Sequence, residues 1–455
     1  GYQYNGHYYD VLSKTKTLLQ EIPSIEKCVV VSYGQTTPDI RSLRSSTLFA
    51  DFLDLTADEL HFRPFPFNHP VYILYSSGTT GVPKCIVHGA GGTLLQHLKE
   101  LILHTNLKAN DTIFYYTTCG WMMWNWFVSG LAVGAKLVLY DGSPLYPTPK
   151  RLFSLIDEQK ISIFGTSASY ITTIKKTGLT PISSHKLHSL HTILSTGSPL
   201  SPENFDFVYQ NIKHDICLSS ISGGTDIVSC FALGNPLLPV YRGELQCLGL
   251  GMNVAVFDEE AQPVIGKKGE LVCLAPFPSM PVSFCNDPYK VKYRKAYFAR
   301  YPNVWAHGDY AQITEHGGMI IYGRSDAVLK PGGVRIGTAE IYRTVEKIPE
   351  ILECAAVTQE WHNDVRIILF VKLRPHLMLT EAMKLHIKAV IRGQASPHHV
   401  PAKIVQIADI PHTINGKMAE LAIREVIHGR PVKNKEALAN PEALDYFAHL
   451  KELEH

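Results

Sequence analysis

The stretch VYILYSSGTTGVPK, residues 71–84, carries an uncharged apolar run straight into a turn rich in glycine, serine and threonine that ends on a lysine. Gly78 and Gly81 let the backbone turn tightly and bring its N–H groups toward an anion. Ser76, Ser77, Thr79 and Thr80 add hydroxyl donors, and Lys84 adds a point charge. A loop of this kind behind a strand reads as a phosphate cradle, although the same residues also make plain solvated turns. It is not a Walker A loop, which ends in Gly-Lys-Ser/Thr before a helix. Here Pro83, which cannot donate an N–H, precedes the lysine.

Outward from this loop, short apolar runs recur at 28–33 (CVVVSY), 112–117 (TIFYYT), 136–140 (KLVLY), 161–165 (ISIFG) and 191–195 (HTILS). With 71–75 they read as buried parallel strands. Between them lie amphipathic stretches: one places Leu94, Leu95, Leu98, Leu101 and Ile102 at helical spacing, another covers 150–160. Alternating strand and helix over the first 230 residues predicts an α/β architecture of parallel-sheet subdomains. From 240 to 322 the runs NVAVFDEE, GELVCLA and GGMIIYGR predict antiparallel strands of a small β-barrel. After KPGG (330–333) strand and helix alternate again, as a smaller α+β domain. The expected division is 1–324 and 325–455.

Composition narrows the function. The 455 residues are 45% hydrophobic and 18% charged, too apolar for an extended disordered chain. Lys and Arg total 43 against 41 Asp and Glu, a net charge of +2 without a long basic run, which argues against nucleic acid. No uncharged apolar stretch reaches the ~18 residues of a membrane span. The nine cysteines form no CxxC pair, so zinc is not expected; with no leader after Gly1, they read as reduced thiols of a cytosolic protein. Oligomeric state is not legible.

Four further motifs follow the loop: SGGTD (222–226), HGD (307–309), GRSDAVLKPGGVR (323–335) and IPHTINGK (410–417). Together and in this order they resemble the motifs of the adenylate-forming acyl-CoA synthetases. Within that family, GWMMWNWFVSG (120–130), SGGTD and KPGGVRIGTAEIYRTVE (330–346) resemble most the members acting on acetoacetate. The resemblance implies ATP, Mg²⁺ and CoA as the reaction's partners. It assigns Ser76, Ser77, Gly78, Thr79, Thr80, Gly81 and Lys84 to the β- and γ-phosphates and Thr225 to the α-phosphate. Asp226 becomes the Mg²⁺ ligand where a glutamate is commoner. The shorter reach is made good by a coordinated water.

By the same resemblance Asp309 accepts the ribose hydroxyls, Arg324 donates to that sugar, and Gly197, Ser198 and Pro199 form the turn on the adenine face. Lys417 bridges carboxylate and α-phosphate, with Arg335 also on phosphate. Asp326 is the hinge about which the C-terminal domain rotates to withdraw Lys417 and admit the CoA thiol. Trp121, Met122 and Met123, from a segment with three Trp and two Met in seven residues, line the acyl pocket. Gly223 opens that pocket where acetate and propionate enzymes carry a tryptophan. The expected function is ligation of acetoacetate to CoA with release of AMP and diphosphate, in the cytosol, feeding lipid and sterol synthesis. Two alternatives stand beside it: a ligase for another short or medium-chain acid, and an inert fragment. The second arises because family members carry a substantial portion before the loop, whereas 74 residues precede Tyr75.

Overall fold

A computed structural model describes residues 1–33, 37–76, 84–362, 364–414 and 416–454. The loop positions Ser77, Gly78, Thr79, Thr80 and Gly81 therefore lie outside the described residues. The chain divides into two compact units, Gly1–Phe65 with Leu139–Leu155, and Pro66–Val138 with Ile156–His455. In the first unit the run at 28–33 yields Cys28–Val30, parallel to Ser46–Leu48 in a two-stranded sheet, beside the helix Leu12–Glu21.

The second unit contains the predicted parallel sheet. Its strands are Thr112–Tyr115, Lys136–Val138, Ile163–Ser167, Thr192–Thr196 and Cys217–Ser220, and every pairing among them is parallel. Their runs are apolar because helices cover such a sheet on both faces. Against it packs the helix Met123–Val128, where Met123, Trp126 and Phe127 join Ile113, Tyr115, Ile163 and Leu194 in one core cluster.

The strand at 71–75 is a correction. It forms as Pro70–Tyr75 but pairs antiparallel with Cys85–Gly89, at the edge of a three-stranded sheet and not within the parallel one. Val71, Ile73 and Tyr75 point to its open face and are 44%, 53% and 66% exposed. A continuous apolar run cannot by itself distinguish an edge strand from a doubly covered one.

The barrel expected from 240 to 322 takes the form of two antiparallel sheets. One orders Ser222–Gly224, Ser229–Leu233 and Cys247–Leu248; the other orders Val254–Phe257, Gly269–Cys273, Trp305–Ile313 and Met319–Arg324. A bridge between Leu245 and Met319 links them. In the C-terminal part, Ile351–Trp361 pairs antiparallel with Asp364–Leu373, which runs parallel to Lys403–Gln406. Alternate residues of the first of these strands serve opposite faces: Cys354 and Ala356 meet the helices Thr338–Val345 and Glu381–Gln394, while Ala355 and Val357 meet the side of Glu420–Ile427. Residues 325–455 fall within the second unit and are tied to its remainder by Lys268 to Glu340 and by Lys347 to Glu203 at 3.1 Å. Among the described residues no helix is long and apolar enough to cross a membrane.

Candidate active site

The neck of the cradle is closed by Ser76 and Lys84. The Ser76 N–H donates to the Lys84 carbonyl at 3.1 Å, and the Lys84 N–H donates to Ser76 Oγ at 3.2 Å. This fixes the start of the Lys84 side chain, whose ammonium pairs with Asp226 and lies 5.0 Å from the ring centre of Tyr297. The Tyr297 hydroxyl donates to the same Asp226 oxygen, Oδ1, at 2.6 Å. Burial alone would raise the Asp226 carboxyl, but the Lys84 ammonium, His307 and these hydrogen bonds outweigh it and hold the group well below the ordinary carboxylate range. Asp226 is therefore an anion at any working pH.

Asp226 and Thr225 sit in the turn between Ser222–Gly224 and Ser229–Leu233. His88, on the strand behind the cradle, meets the Thr225 carbonyl with Nε2 at 3.0 Å. It is fully buried, and desolvation pulls it down to about 4, against the opposing pull of that carbonyl. The unfolded chain takes up a proton near 6.5 and the folded chain does not, so stability is intact above that pH and falls below it. At 1.36 kcal/mol per unit, about 2 kcal/mol is lost by about pH 5. His88→Gln, which can still donate to Thr225, is expected to flatten the fall in melting temperature from about pH 7.5 to 5; an equal slope in both proteins contradicts the assignment.

The HGD motif lies on Trp305–Ile313, with Asp309 directly opposite Arg324 of Met319–Arg324. Arg324 Nη1 reaches Asp309 Oδ1 and the His307 carbonyl, each at 3.2 Å. Gly308, at φ +84°, lies beneath the guanidinium: a Cβ there would come within 2.7 Å of Arg324 Nη2. The positive φ favours glycine here, and a side chain would also push the guanidinium aside. His307 is buried with Nε2 3.7 Å from Asp309 Oδ2 and its ring centre 4.6 Å from Phe231; desolvation keeps it below the usual histidine range.

Lys417 comes from the C-terminal part. Its N–H donates to Thr413 Oγ1 at 3.1 Å, and its carbonyl accepts from the Thr413 N–H at 2.7 Å. The residue keeps more than a third of its surface open to solvent. Desolvation first, then the Arg324 guanidinium, lower the ammonium below the ordinary lysine range, while Asp309 and Asp226 pull the other way. Lys417, Arg324, Asp309 and Asp226 therefore share one electrostatic field.

The sequence signature of the AMP-binding enzymes matches residues 11–278. Acetoacetyl-coenzyme A synthetase of Rhizobium meliloti (strain 1021) is 58% identical over 455 residues, all of this chain and 70% of that protein. The acetoacetyl-CoA synthetase of Gallus gallus is 47% identical, over 99% of this chain and 69% of its own length. The solved acetoacetyl-CoA synthetase from Streptomyces lividans superposes with a TM-score of 0.91 at 38% identity, covering 98% of this chain and 68% of that one. The chain belongs to the AMP-binding enzyme family, in its acetoacetyl-CoA synthetase branch.

Within that family frame the structure brings together Ser76, Lys84, Thr225, Asp226, Asp309, Arg324 and Lys417. Gly197, Ser198 and Pro199 follow the strand Thr192–Thr196 and are exposed, and Trp121 Cζ2 lies 3.7 Å from where a Gly197 Cβ would stand. Trp121 and Met122 are half-buried and remain available as wall residues. Met123 does not: at 1% exposed it belongs to the core cluster. Arg335 is also displaced from its expected place on phosphate. It pairs with Glu259 at 3.1 Å beside a cavity of about 260 Å³ lined by Lys268 and Tyr310. Asp326 lies 3.7 Å from Arg324, and its carbonyl accepts from Arg424 at 3.3 Å.

Gly223 is a further correction. A Cβ there would lie 1.9 Å from the Ser229 carbonyl oxygen and 2.6 Å from Cys230 Cα. The space expected to lengthen an acyl pocket is occupied by backbone, and the glycine serves the close approach of two strands.

Sequence reasoning missed Tyr297 and His307 as partners of the two carboxylates. Tyr297 sits in VKYRKAY with no motif around it, and is fixed by stacking on Trp305 at 3.7 Å and 14°. His307 was in view within HGD, where the carboxylate drew the whole assignment.

Proposed function

We propose that this chain ligates acetoacetate to CoA in two steps: ATP and acetoacetate give acetoacetyl-adenylate and diphosphate, and the CoA thiol then displaces AMP to give acetoacetyl-CoA. The observation that supports the reading is the pairing of Arg324 with Asp309 at 3.2 Å and of Lys84 with Asp226, two cation–carboxylate pairs of the kind a nucleotide's ribose and phosphates would engage. Asp309 and Arg324 hold the sugar, and the Thr225 turn meets the α-phosphate. Lys84, released from Asp226 by the incoming phosphates, moves to their oxygens as a point charge. Lys417 neutralises charge where the acetoacetate carboxylate attacks phosphorus.

Mg²⁺ fits the residues present. Among the described residues no three His, Cys, Asp or Glu side chains form a metal cage. Mg²⁺ characteristically uses one or two carboxylates together with substrate phosphates and water. Asp226 is such a carboxylate, and both its donors use Oδ1. Bound there, the ion would neutralise phosphate charge.

Residues 325–455 act as the mobile domain, pivoting at Asp326, so that Lys417 serves adenylation and then withdraws. The cytosol is the proposed site of action. Incubation with ATP, Mg²⁺, CoA and acetoacetate, followed by mass spectrometry, is expected to give acetoacetyl-CoA and AMP in equal amounts. Formation of ADP in place of AMP, or no thioester, overturns the reading.

A further inference from the structure

The helix Ala90–Lys99 and the π-helical turn Glu100–His104 after it bury a largely polar side together with Leu101, and leave most of the predicted leucine stripe open. Leu94, Leu95, Ile102 and Leu103 are 44–54% exposed, whereas Thr93, Gln96, His97, Glu100 and His104 are 0–3% exposed. The polar face is spent on the hairpin after Asp226. His97 Nε2 meets the Val228 carbonyl at 2.6 Å, and His104 Nδ1 meets the Gly234 carbonyl at 2.8 Å. Glu100, fully buried, does most. Its Oε1 accepts from Gln96 Nε2 at 2.9 Å, from Ser229 Oγ and from the Cys230 N–H at 3.3 Å, while its Oε2 accepts from Trp126 Nε1 at 2.8 Å. Lys99 Nζ, 3.6 Å away, supplies the countercharge.

A buried carboxylate persists only where its lone pairs are met, and here they are met by two separate parts of the site. Trp126 lies on the aromatic segment that begins with Trp121 and Met122. Ser229 and Cys230 form the backbone directly behind Gly223, two residues before Thr225. We propose that Glu100 is a positioning residue that sets the acyl wall in register with the Thr225–Asp226 turn, and so sets where the acid's carboxylate stands relative to the α-phosphate. This rests on the adenylating function argued above. A displacement of about 1 Å between such elements can cost on the order of 10²-fold in rate.

The test is Glu100→Gln in the full chain. Its amide oxygen can keep the Ser229, Gln96 and Cys230 donors, but its NH₂ then faces the indole N–H of Trp126, two donors together. Acid-dependent ATP–diphosphate exchange is measured for acetoacetate and butyrate on the same preparation, with a thermal melt. The expected result is a change of about tenfold or more in the acetoacetate-to-butyrate ratio of kcat/KM, partly reversed in Glu100→Gln/Trp126→Phe, which removes the conflicting donor. Loss of folded protein scales both acids alike and leaves the ratio fixed. A ratio constant within about twofold, set against the uncertainty of such ratios, overturns the proposal. If Glu100→Gln does not fold, Trp126→Phe and Ser229→Ala, each removing one arm, are expected to shift the ratio about threefold; constancy in both overturns it. Absence of exchange in the wild type would instead overturn the functional reading itself.

Discussion

Lys417→Ala is expected to slow acetoacetyl-adenylate formation by about 10²–10³-fold while leaving thioester formation from preformed adenylate near its wild-type rate. The side chain is held where Arg324, Asp309 and Asp226 all act on it, so its charge is in place before the carboxylate attacks. Removing the one cation that meets the attacking carboxylate and the α-phosphate leaves the charge that develops there unneutralised. The second step runs with Lys417 withdrawn and does not need it. In the ligand-free protein the lysine is below its ordinary range, so adenylation is expected to decline on the alkaline side before an unperturbed lysine would titrate. Supplying acetoacetyl-adenylate and CoA to the variant checks the split; equal slowing of both half-reactions contradicts it.

Gly223→Ala is expected to lower adenylation of acetate and acetoacetate both. The added methyl would have to share space with the Ser229 carbonyl at 1.9 Å and Cys230 Cα at 2.6 Å, both backbone, so the strands must separate. Overpacking of this kind costs about 1–3 kcal/mol. The same separation moves Thr225 and Asp226, which lie in the turn joining the two strands. Gly223→Trp is expected to be worse, with no gain for acetate. The check is a melting curve and kcat/KM for acetate and acetoacetate on both variants. A stable Gly223→Trp protein that prefers acetate would restore the view of Gly223 as the open end of the acyl pocket.

The parallel sheet was legible because its strands are continuous apolar runs, and the proposed nucleotide residues were nameable because Lys84, Asp226, Asp309, Arg324 and Lys417 stand in short motifs. The antiparallel pairing of Pro70–Tyr75 was not, since run composition carries no strand direction. The polar face of the 90–104 segment was hidden for a related reason. Periodicity locates an apolar stripe, whereas the buried side here is chosen by hydrogen bonds from His97, Glu100 and His104 to a hairpin more than a hundred residues away. Met123 and Trp121 read alike in an aromatic segment; only packing separates the buried Met123 from the half-buried Trp121. Arg335 stands in a matching motif, yet its charge is taken by Glu259, which no local pattern announces.

The central claim is that this site activates acetoacetate as an adenylate. It is tested most directly by ATP–diphosphate exchange, without CoA, across acetate, propionate, butyrate, acetoacetate and longer acids. The account predicts exchange that depends on added acid and is fastest in kcat/KM with acetoacetate. Exchange that no acid raises above background, or that acetate or butyrate supports better than acetoacetate, would contradict it.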